Sequence, residues 1–293
     1  MSEDPLPQGV ALTALDERFR EDPYSVLDEV RSRAPVHEDV ELGRFIYTRH
    51  DDVKAILRDN TLWSDPRKAR PGTFTREFLG PDMEQEPSML LMDEPDHKRL
   101  RRLVSKPFTP AAVERWRNDI RSVVAQVLDD IDSAEFDLIE QFAGPIPTVV
   151  IAEVLGLDPA HQARFKTWSD TSVKIAFNPF PAEAEKVAGE AAQQSLVDFF
   201  DAEIEARRNN LGDDLLSTMI RAEEDGDKLS KDEIISQCNL LLIAGNVTTT
   251  DLIGNGVKAL LENPEQLQLL RDEPELIKNA VEEMLRYDSP VTN

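Results

Sequence analysis

The chain has 293 residues, of which 40% are hydrophobic, and its 57 acidic and 33 basic side chains give a formal net charge of −24. A surface this acidic argues against general nucleic-acid binding, which requires a basic face. The one cysteine, Cys238, excludes an intramolecular disulfide and fits a reducing compartment. The N-terminus lacks the features of a signal peptide, and no apolar run is long enough for a membrane span, so we expect a cytoplasmic protein.

The first third of the chain predicts a small mixed region. Asp22 caps the first helix and Pro23 suits its first turn, while short β-prone runs indicate two strands. The predicted elements are a helix at 22–34, strands at 35–40 and 44–49, and a helix at 51–59. Residues 61–95 are predicted to be irregular, and their many apolar side chains indicate either a pocket wall or a loosely packed core.

From about residue 97 the apolar spacing predicts helices almost throughout. The predicted helices begin at His97 and continue at 110–131, 141–156, 159–177, 182–209, 213–225, about 231–262, and twice within 264–287. Residues 135–140 have the pattern of a short strand. The fold class is therefore mainly α with a small β-sheet. Since nothing marks a boundary, we expect residues 1–293 to form a single domain.

The most unusual stretch, AGNVTTT at 244–250, lies inside the long predicted helix. Gly245 and the three threonines that follow Val247 cost about 2–3 kcal/mol relative to alanine. Glycine lets a flat ligand approach the backbone, and a mid-helix threonine can bond back to the carbonyl four residues earlier. The alternative interpretation is that small residues let a second helix cross closely, and this stretch alone favours neither.

A basic helix forms the second unusual segment, DEPDHKRLRRLVSKPFTP at 93–110. His97 and Arg101 are four residues apart and therefore share a face, an arrangement that suits a carboxylate or a phosphate. In a chain of net charge −24, the basic residues of this segment form a local positive island. A solvated basic helix is the alternative interpretation.

The third segment, EEMLRY at 282–287, places Glu283 and Arg286 three residues apart on a helix predicted at about 274–287. In this order, the three segments resemble the cytochrome P-450 family of haem-thiolate monooxygenases, in particular its soluble bacterial type. The resemblance extends from about residue 15 to residue 293. It implies a haem-dependent enzyme that hydroxylates an apolar small molecule, using dioxygen and electrons from a redox partner.

The resemblance also implies roles for individual residues. His97 and Arg101 would bind the haem propionates, while Ala244 and Gly245 would pack over the face of the haem where oxygen binds. Thr248 would be the catalytic residue that donates a hydrogen bond to the bound oxygen. The family usually has an acid directly before this threonine. Because Val247 stands there instead, we expect proton delivery by Thr248 and ordered water.

The family's axial ligand is a cysteine in a glycine-rich loop well after the ExxR helix, and no such loop precedes the last residue, Asn293. Cys238 lies ten residues before Thr248, about 15 Å along the helix axis, and is interpreted as a small core residue. We therefore assign no metal ligand. We expect an incomplete P-450 domain that is inactive alone, and the alternative function is a non-catalytic helical fragment that does not ligate iron.

The expected partners are a hydrophobic small-molecule substrate, dioxygen and a ferredoxin-type electron donor, with no nucleic acid and no membrane. The resemblance implies a lid over the substrate, formed by the 61–95 loop and the two helices joined at 178–182. The side chains expected to face the substrate from this lid are Ile175, Phe177 and Phe180. An acidic donor would dock on Arg99, Arg102 and Lys106, unless these are ordinary solubilising residues.

Overall fold

The computed structural model describes residues 5–79, 88–105, 108–176, 178, 180–224 and 229–291. The chain divides into two compact units, residues 1–98 and residues 99–292. The division falls inside a helix, between Lys98 and Arg99. The single domain expected for residues 1–293 stays a prediction.

The first unit combines short helices with one antiparallel hairpin. Its elements are α1 (Glu17–Glu21), α2 (Pro23–Arg33), β1 (Val36–Asp39), β2 (Arg44–Tyr47), α3 (His50–Arg58) and α4 (Phe74–Leu79). Asp22 caps α2 as predicted, since its carboxylate accepts a hydrogen bond from the Ser25 amide at 3.1 Å. The strands pair in register from Val36 with Tyr47 to Asp39 with Arg44. The main buried cluster consists of Leu12, Phe19, Val26 and Val30.

Asp39 ties the N-terminal segment to this hairpin. Its buried carboxylate accepts hydrogen bonds from the Gly9 amide at 2.8 Å, from the Leu42 amide at 3.3 Å and from Nε of Arg44 at 2.9 Å. Burial by itself raises the pKa of the Asp39 carboxyl, but these donors outweigh it and hold that pKa below its usual range. Gly9 has a φ of 58°, a left-handed conformation that favours glycine at this contact.

The second unit is built from helices around one long helix. Its elements are the last turns of α5 (Asp96–Val104), then α6 (Pro110–Asp129), α7 (Pro145–Leu155), α8 (Gln162–Ala176), α9 (Glu183–Arg207), α10 (Leu215–Glu224), α11 (Lys231–Glu262), α12 (Pro264–Asp272) and α13 (Ile277–Tyr287). With 32 residues, α11 is about 48 Å long. It contacts α7, α8, α9 and α10, and its fully buried side chains include Ile234, Cys238 and Leu242.

Two of the predicted features are wrong. The segment 61–95 is not irregular throughout, because it contains α4 and short 3-10 turns at Pro66–Lys68 and Met89–Leu91; residues 80–87 lie outside the described residues. The stretch 135–140 forms no strand. Asp137 accepts hydrogen bonds from the amides of residues 139 and 140, both at 2.9 Å, and so starts a π-helix at Ile139–Ala143.

The mainly helical fold with a small β-sheet is confirmed. The structure also places α11 at the predicted bounds, from Lys231 to Glu262. Within the described ranges, no helix has both the length and the apolarity that are needed to cross a bilayer.

Asp39→Asn should remove a part of the stability that depends on pH. A carboxyl whose pKa is lowered by folding stabilises the folded state above its unfolded pKa of about 4, and this contribution is lost as the pH falls through the folded pKa. We therefore expect the urea midpoints of the two proteins to differ most at neutral pH and to converge below about pH 4. The control is Glu38→Gln, since Glu38 is the exposed neighbour on β1. A difference that stays constant with pH would contradict this account of Asp39.

Candidate functional site

The middle turns of α11 have an open side around Ala244. Ala244 is exposed there, and Thr248, one turn later on the same side, is partly exposed. The Thr248 hydroxyl donates a hydrogen bond to the Ala244 carbonyl at 2.8 Å, which is the back-bonding predicted for a mid-helix threonine. Leu240 and Val247 flank this pair and are partly exposed. The open side, as defined by these four residues, is therefore small and apolar, with one hydroxyl group.

The opposite side of the same turns is buried against α7. A methyl group added at Gly245 would lie 2.9 Å from Cγ1 of Ile151, so the missing side chain lets the two helices approach closely. Asn246 is only 1% exposed, and its Oδ1 accepts a hydrogen bond from the Thr148 hydroxyl at 2.8 Å. Gly245 thus serves helix packing, and its contact with a haem stays a prediction. Sequence reasoning gave no role to Asn246 or Thr148.

The acidic side chain nearest to Thr248 along α11 comes after this threonine in the sequence, not before it. Val247 has no proton to donate, and Asp251 comes three residues after Thr248 on α11. Asp251 is exposed as a whole, yet desolvation of its carboxyl and the nearby charge of Asp170 raise its pKa above the usual range. Asp170 is itself paired with Lys166 at 2.9 Å. Asp251 therefore keeps its proton to a higher pH than an ordinary aspartate.

The helix α5 carries the other predicted ligand-binding residues. His97 and Arg101 lie one turn apart on it, as the sequence predicts. His97 is partly exposed, and its Nδ1 is 3.6 Å from Oε1 of Glu94. Arg101 is exposed. This face of α5 offers an imidazole and a guanidinium to an anionic group.

Arg99 forms a structural contact, and its expected docking role stays a prediction. Its guanidinium forms a two-pronged ion pair with Glu233 in the first turn of α11, and the two side chains are 24% and 10% exposed. Glu233 also accepts a hydrogen bond from the Ser230 amide at 2.9 Å, which completes a capping box. The pair joins α5 to α11 at a point about 22 Å along the axis from Thr248. Of the other two candidates, Arg102 is exposed and Lys106 lies outside the described residues.

The Glu283–Arg286 pair is formed, but it faces solvent. The Arg286 nitrogens Nε and Nη2 donate to the Glu283 carboxylate at 2.7 Å and 2.6 Å. The side chain of Glu283 is 59% exposed and that of Arg286 is 69% exposed. Beside the pair, a cavity of about 350 Å³ lies among α11, α12 and α13, with Gly256, Met284 and Tyr287 in its lining.

Cys238 is a core residue in this structure. It is fully buried on α11, and desolvation raises the pKa of its thiol well above the usual range, with the charge of Arg207 opposing. It does not lie on the open side. Across the described ranges, no three His, Cys, Asp or Glu side chains lie close enough together to hold a metal ion.

The two predicted lid residues that the structure describes, Ile175 and Phe180, lie in different environments. Ile175 packs against Gly189 of α9, so its side chain is used in helix packing. Phe180 is 62% exposed, and Phe177 lies outside the described residues.

Of the predicted site residues, Ala244 and Thr248 lie together on α11, and His97 and Arg101 lie together on α5.

Comparison with known proteins gives a consistent result. The family model of cytochrome P-450 matches residues 45–292. The 6-deoxyerythronolide B hydroxylase of Saccharopolyspora erythraea is 40% identical over 282 residues, which cover 93% of this chain and 68% of that protein. A cytochrome P-450 of Priestia megaterium is 39% identical over 260 residues, or 84% of this chain and 62% of that protein. A solved structure of the cytochrome P-450 CxnD, for C–S bond formation in chuangxinmycin biosynthesis, has a TM-score of 0.85 at 31% identity and covers 98% of this chain and 69% of that one.

The mainly helical fold with a small β-sheet is that of the solved cytochrome P-450 structure. The chain belongs to the cytochrome P-450 family. The family resemblance that the three sequence segments indicated is thereby confirmed. The chain spans about two thirds of the length of the relatives it matches.

Glu233→Gln and Glu283→Gln form a matched pair of substitutions, because each removes the charge from a two-pronged arginine contact. The Arg99–Glu233 pair is largely buried, so we expect Glu233→Gln to lower the free energy of unfolding by about 3 kcal/mol. The Glu283–Arg286 pair is solvent-screened, so Glu283→Gln should leave the urea midpoint unchanged within error. Equal losses in the two variants would mean that burial does not decide the contribution of these pairs.

Proposed function

We propose that this chain contributes the oxygen-side wall and the propionate-binding residues of a haem pocket in a cytochrome P-450 monooxygenase. The enzyme inserts one oxygen atom from dioxygen into an apolar small molecule, with electrons from a redox partner. The observation that carries the proposal is the open side of α11, where Ala244 and the Thr248 hydroxyl lie opposite the buried Asn246. A relative named as a hydroxylase supports it.

The residues present fit a haem. Its flat apolar face suits the open side of α11, and its carboxylates suit the imidazole of His97 and the guanidinium of Arg101 on α5. Ala244 lies on this open side, whereas the space beside Gly245 is occupied by Ile151. When bound, the haem supplies the oxygen activation that amino-acid side chains do not provide.

Thr248 is the proposed proton-handling group of this chain. Its hydroxyl proton is directed to the Ala244 carbonyl, which leaves the lone pairs of Oγ1 free to accept from water on the open side. Val247 gives no carboxylate beside it. Ordered water at Oγ1 is therefore the proposed source of protons, and Asp251, with its raised pKa, is the nearest acid along α11.

An acidic electron donor of the ferredoxin type is the proposed redox partner. Arg102 is the described candidate for the docking face, because Arg99 is held by Glu233. The steering of an acidic partner to one basic patch on a protein of net charge −24 supports this proposal. An apolar small molecule is the proposed substrate, in keeping with the apolar open side.

A second candidate function is a non-catalytic helical chain that ligates no iron. The burial of Cys238 favours it, because a fully buried thiol with a raised pKa does not supply a thiolate. The two functions differ in whether a haem binds at the proposed face. Haem binding that depends on the α5 residues supports the first function, while its absence supports the second.

Arg101→Ala should weaken the binding of hemin to the chain by about tenfold, because it removes one charge-assisted contact to a propionate. His97→Ala should act in the same direction. The measurement is an absorbance titration of the purified chain with hemin. Arg102→Ala is the matched control, since Arg102 is an exposed neighbour that does not share the face of His97 and Arg101. An equal loss in all three variants would show non-specific electrostatic binding and would contradict the assignment.

A further inference from the structure

Asn246 occupies a special position relative to the proposed site. It lies two residues after Ala244 and two residues before Thr248. Two residues correspond to about 200° around a helix, so the Asn246 side chain projects away from both of them. The side of α11 that carries Asn246 is buried, and the side that carries the other two is open. Whatever fixes Asn246 therefore fixes the direction in which Ala244 and Thr248 face.

We propose that Asn246, Thr148 and Thr250 form a buried clamp between α7 and α11 that sets the rotation of α11 and so positions Ala244 and Thr248 on the open side. These are positioning residues. The part of this inference that concerns the haem rests on the proposed function. The part that concerns the rotation of α11 rests on the contacts alone.

The first contact of the clamp joins Thr148 to Asn246. The Thr148 hydroxyl lies 2.8 Å from Oδ1 of Asn246 and 2.8 Å from the carbonyl oxygen of Gly144. A hydroxyl has one proton and cannot donate fully to both acceptors. With the amide turned so that Nδ2 of Asn246 donates to Thr148 Oγ1, the hydroxyl proton goes to Gly144 and Nδ2 gains the partner it otherwise lacks. In either orientation the two side chains are bonded and fully buried.

The second contact joins Thr250 to the start of α7. Its hydroxyl lies 3.0 Å from the carbonyl oxygen of Asn246 and 3.3 Å from that of Ala143, and the residue is 8% exposed. The carbonyl oxygens of Ala143 and Gly144 each lie within hydrogen-bond distance of one of the two threonine hydroxyls. The clamp holds two successive turns of α11 to one junction of backbone, between the π-helix and α7.

Hydrogen bonds are needed for this function because apolar packing alone is weakly directional. The close approach of Gly245 and Ile151 brings the two helices into contact. A hydrogen bond weakens steeply when its angle departs from linearity, so a rotation of α11 would break the clamp. Breaking it would leave buried polar groups without partners, which is costly.

Thr148→Val tests the clamp, because it keeps the shape of the side chain and removes the hydroxyl. We expect the backbone amides of residues 244–250 to exchange with deuterium about tenfold faster, while those of residues 234–238 stay unchanged. Thr148→Ser should restore the slow exchange, because it restores the hydroxyl. Thr167→Val is the matched control, since Thr167 is exposed on α8 and makes only an intrahelical bond, to Ala163 at 2.9 Å.

A thiol reporter measures the orientation itself. With Ala244→Cys, alkylation should be rapid, because Ala244 is exposed and Cys238 is buried and unreactive. Adding Thr148→Val should slow this alkylation several-fold, because a rotation of α11 would turn residue 244 away from the open side. If Thr148→Val loses its helical circular dichroism, Thr250→Val removes the second contact and serves in its place. Unchanged exchange and unchanged alkylation in the clamp variants would overturn the proposal.

Neither measurement requires haem, so the two proposals fail separately. If the clamp variants change exchange and alkylation but the unaltered chain takes up no hemin, the clamp stands and the proposed function fails. If hemin binds through Arg101 but the clamp variants behave as the unaltered chain does, the clamp fails alone.

Discussion

The burial of one side of α11 against its neighbouring helices is the constraint on which the rest of the second unit depends. In its middle turns, α11 is buried where Asn246 lies and open where Ala244 and Thr248 lie, so the two sides have different compositions. Gly245 lets α7 approach on one side, and Asn246 anchors that approach. The side that remains open carries Ala244 and Thr248. Residues that are adjacent in sequence thereby have different roles, because their side chains project from different sides of the helix.

The distribution of charge follows the same division between buried and open surfaces. Where carboxylates are buried, as with Asp39 and Glu233, an arginine and backbone amides satisfy them. The Glu283–Arg286 contact has equally good geometry, but both side chains are exposed, so solvent screens their attraction. In a chain of net charge −24, the basic residues of α5 form a local positive cluster. Arg99 has found an internal partner, while Arg101 and Arg102 remain exposed.

The sequence was sufficient for the features that local chemistry determines. The capping box at Ser230 and Glu233 and the stop at Asn263–Pro264 bound α11, so its length could be predicted closely. The back-bond of Thr248 also follows from its position within a helix. The family could be recognised because three short segments occur in a fixed order, although each is weak alone.

The remaining features depend on neighbours that are distant in sequence. The space beside Gly245 is occupied by Ile151, almost a hundred residues earlier in the chain. A glycine that makes room for a ligand and one that makes room for a helix therefore look alike in sequence. The same applies to Arg99, whose partner Glu233 is 134 positions away. Residues 135–140 do not form the predicted strand, because the capping carboxylate of Asp137 outweighs the strand-like alternation. In each case a tertiary or local polar contact overrides a pattern that was correctly counted.

The central claim is that a haem lies against the open side of α11, and hydroxyl-radical footprinting with and without hemin tests it most directly. Val247 and Leu240 report on the open side, and Leu261, 68% exposed near the end of the same helix, is the internal reference. The account predicts that hemin reduces the labelling of Val247 and Leu240 and leaves Leu261 unchanged. Equal protection of all three residues, or protection of none at saturating hemin, would contradict it.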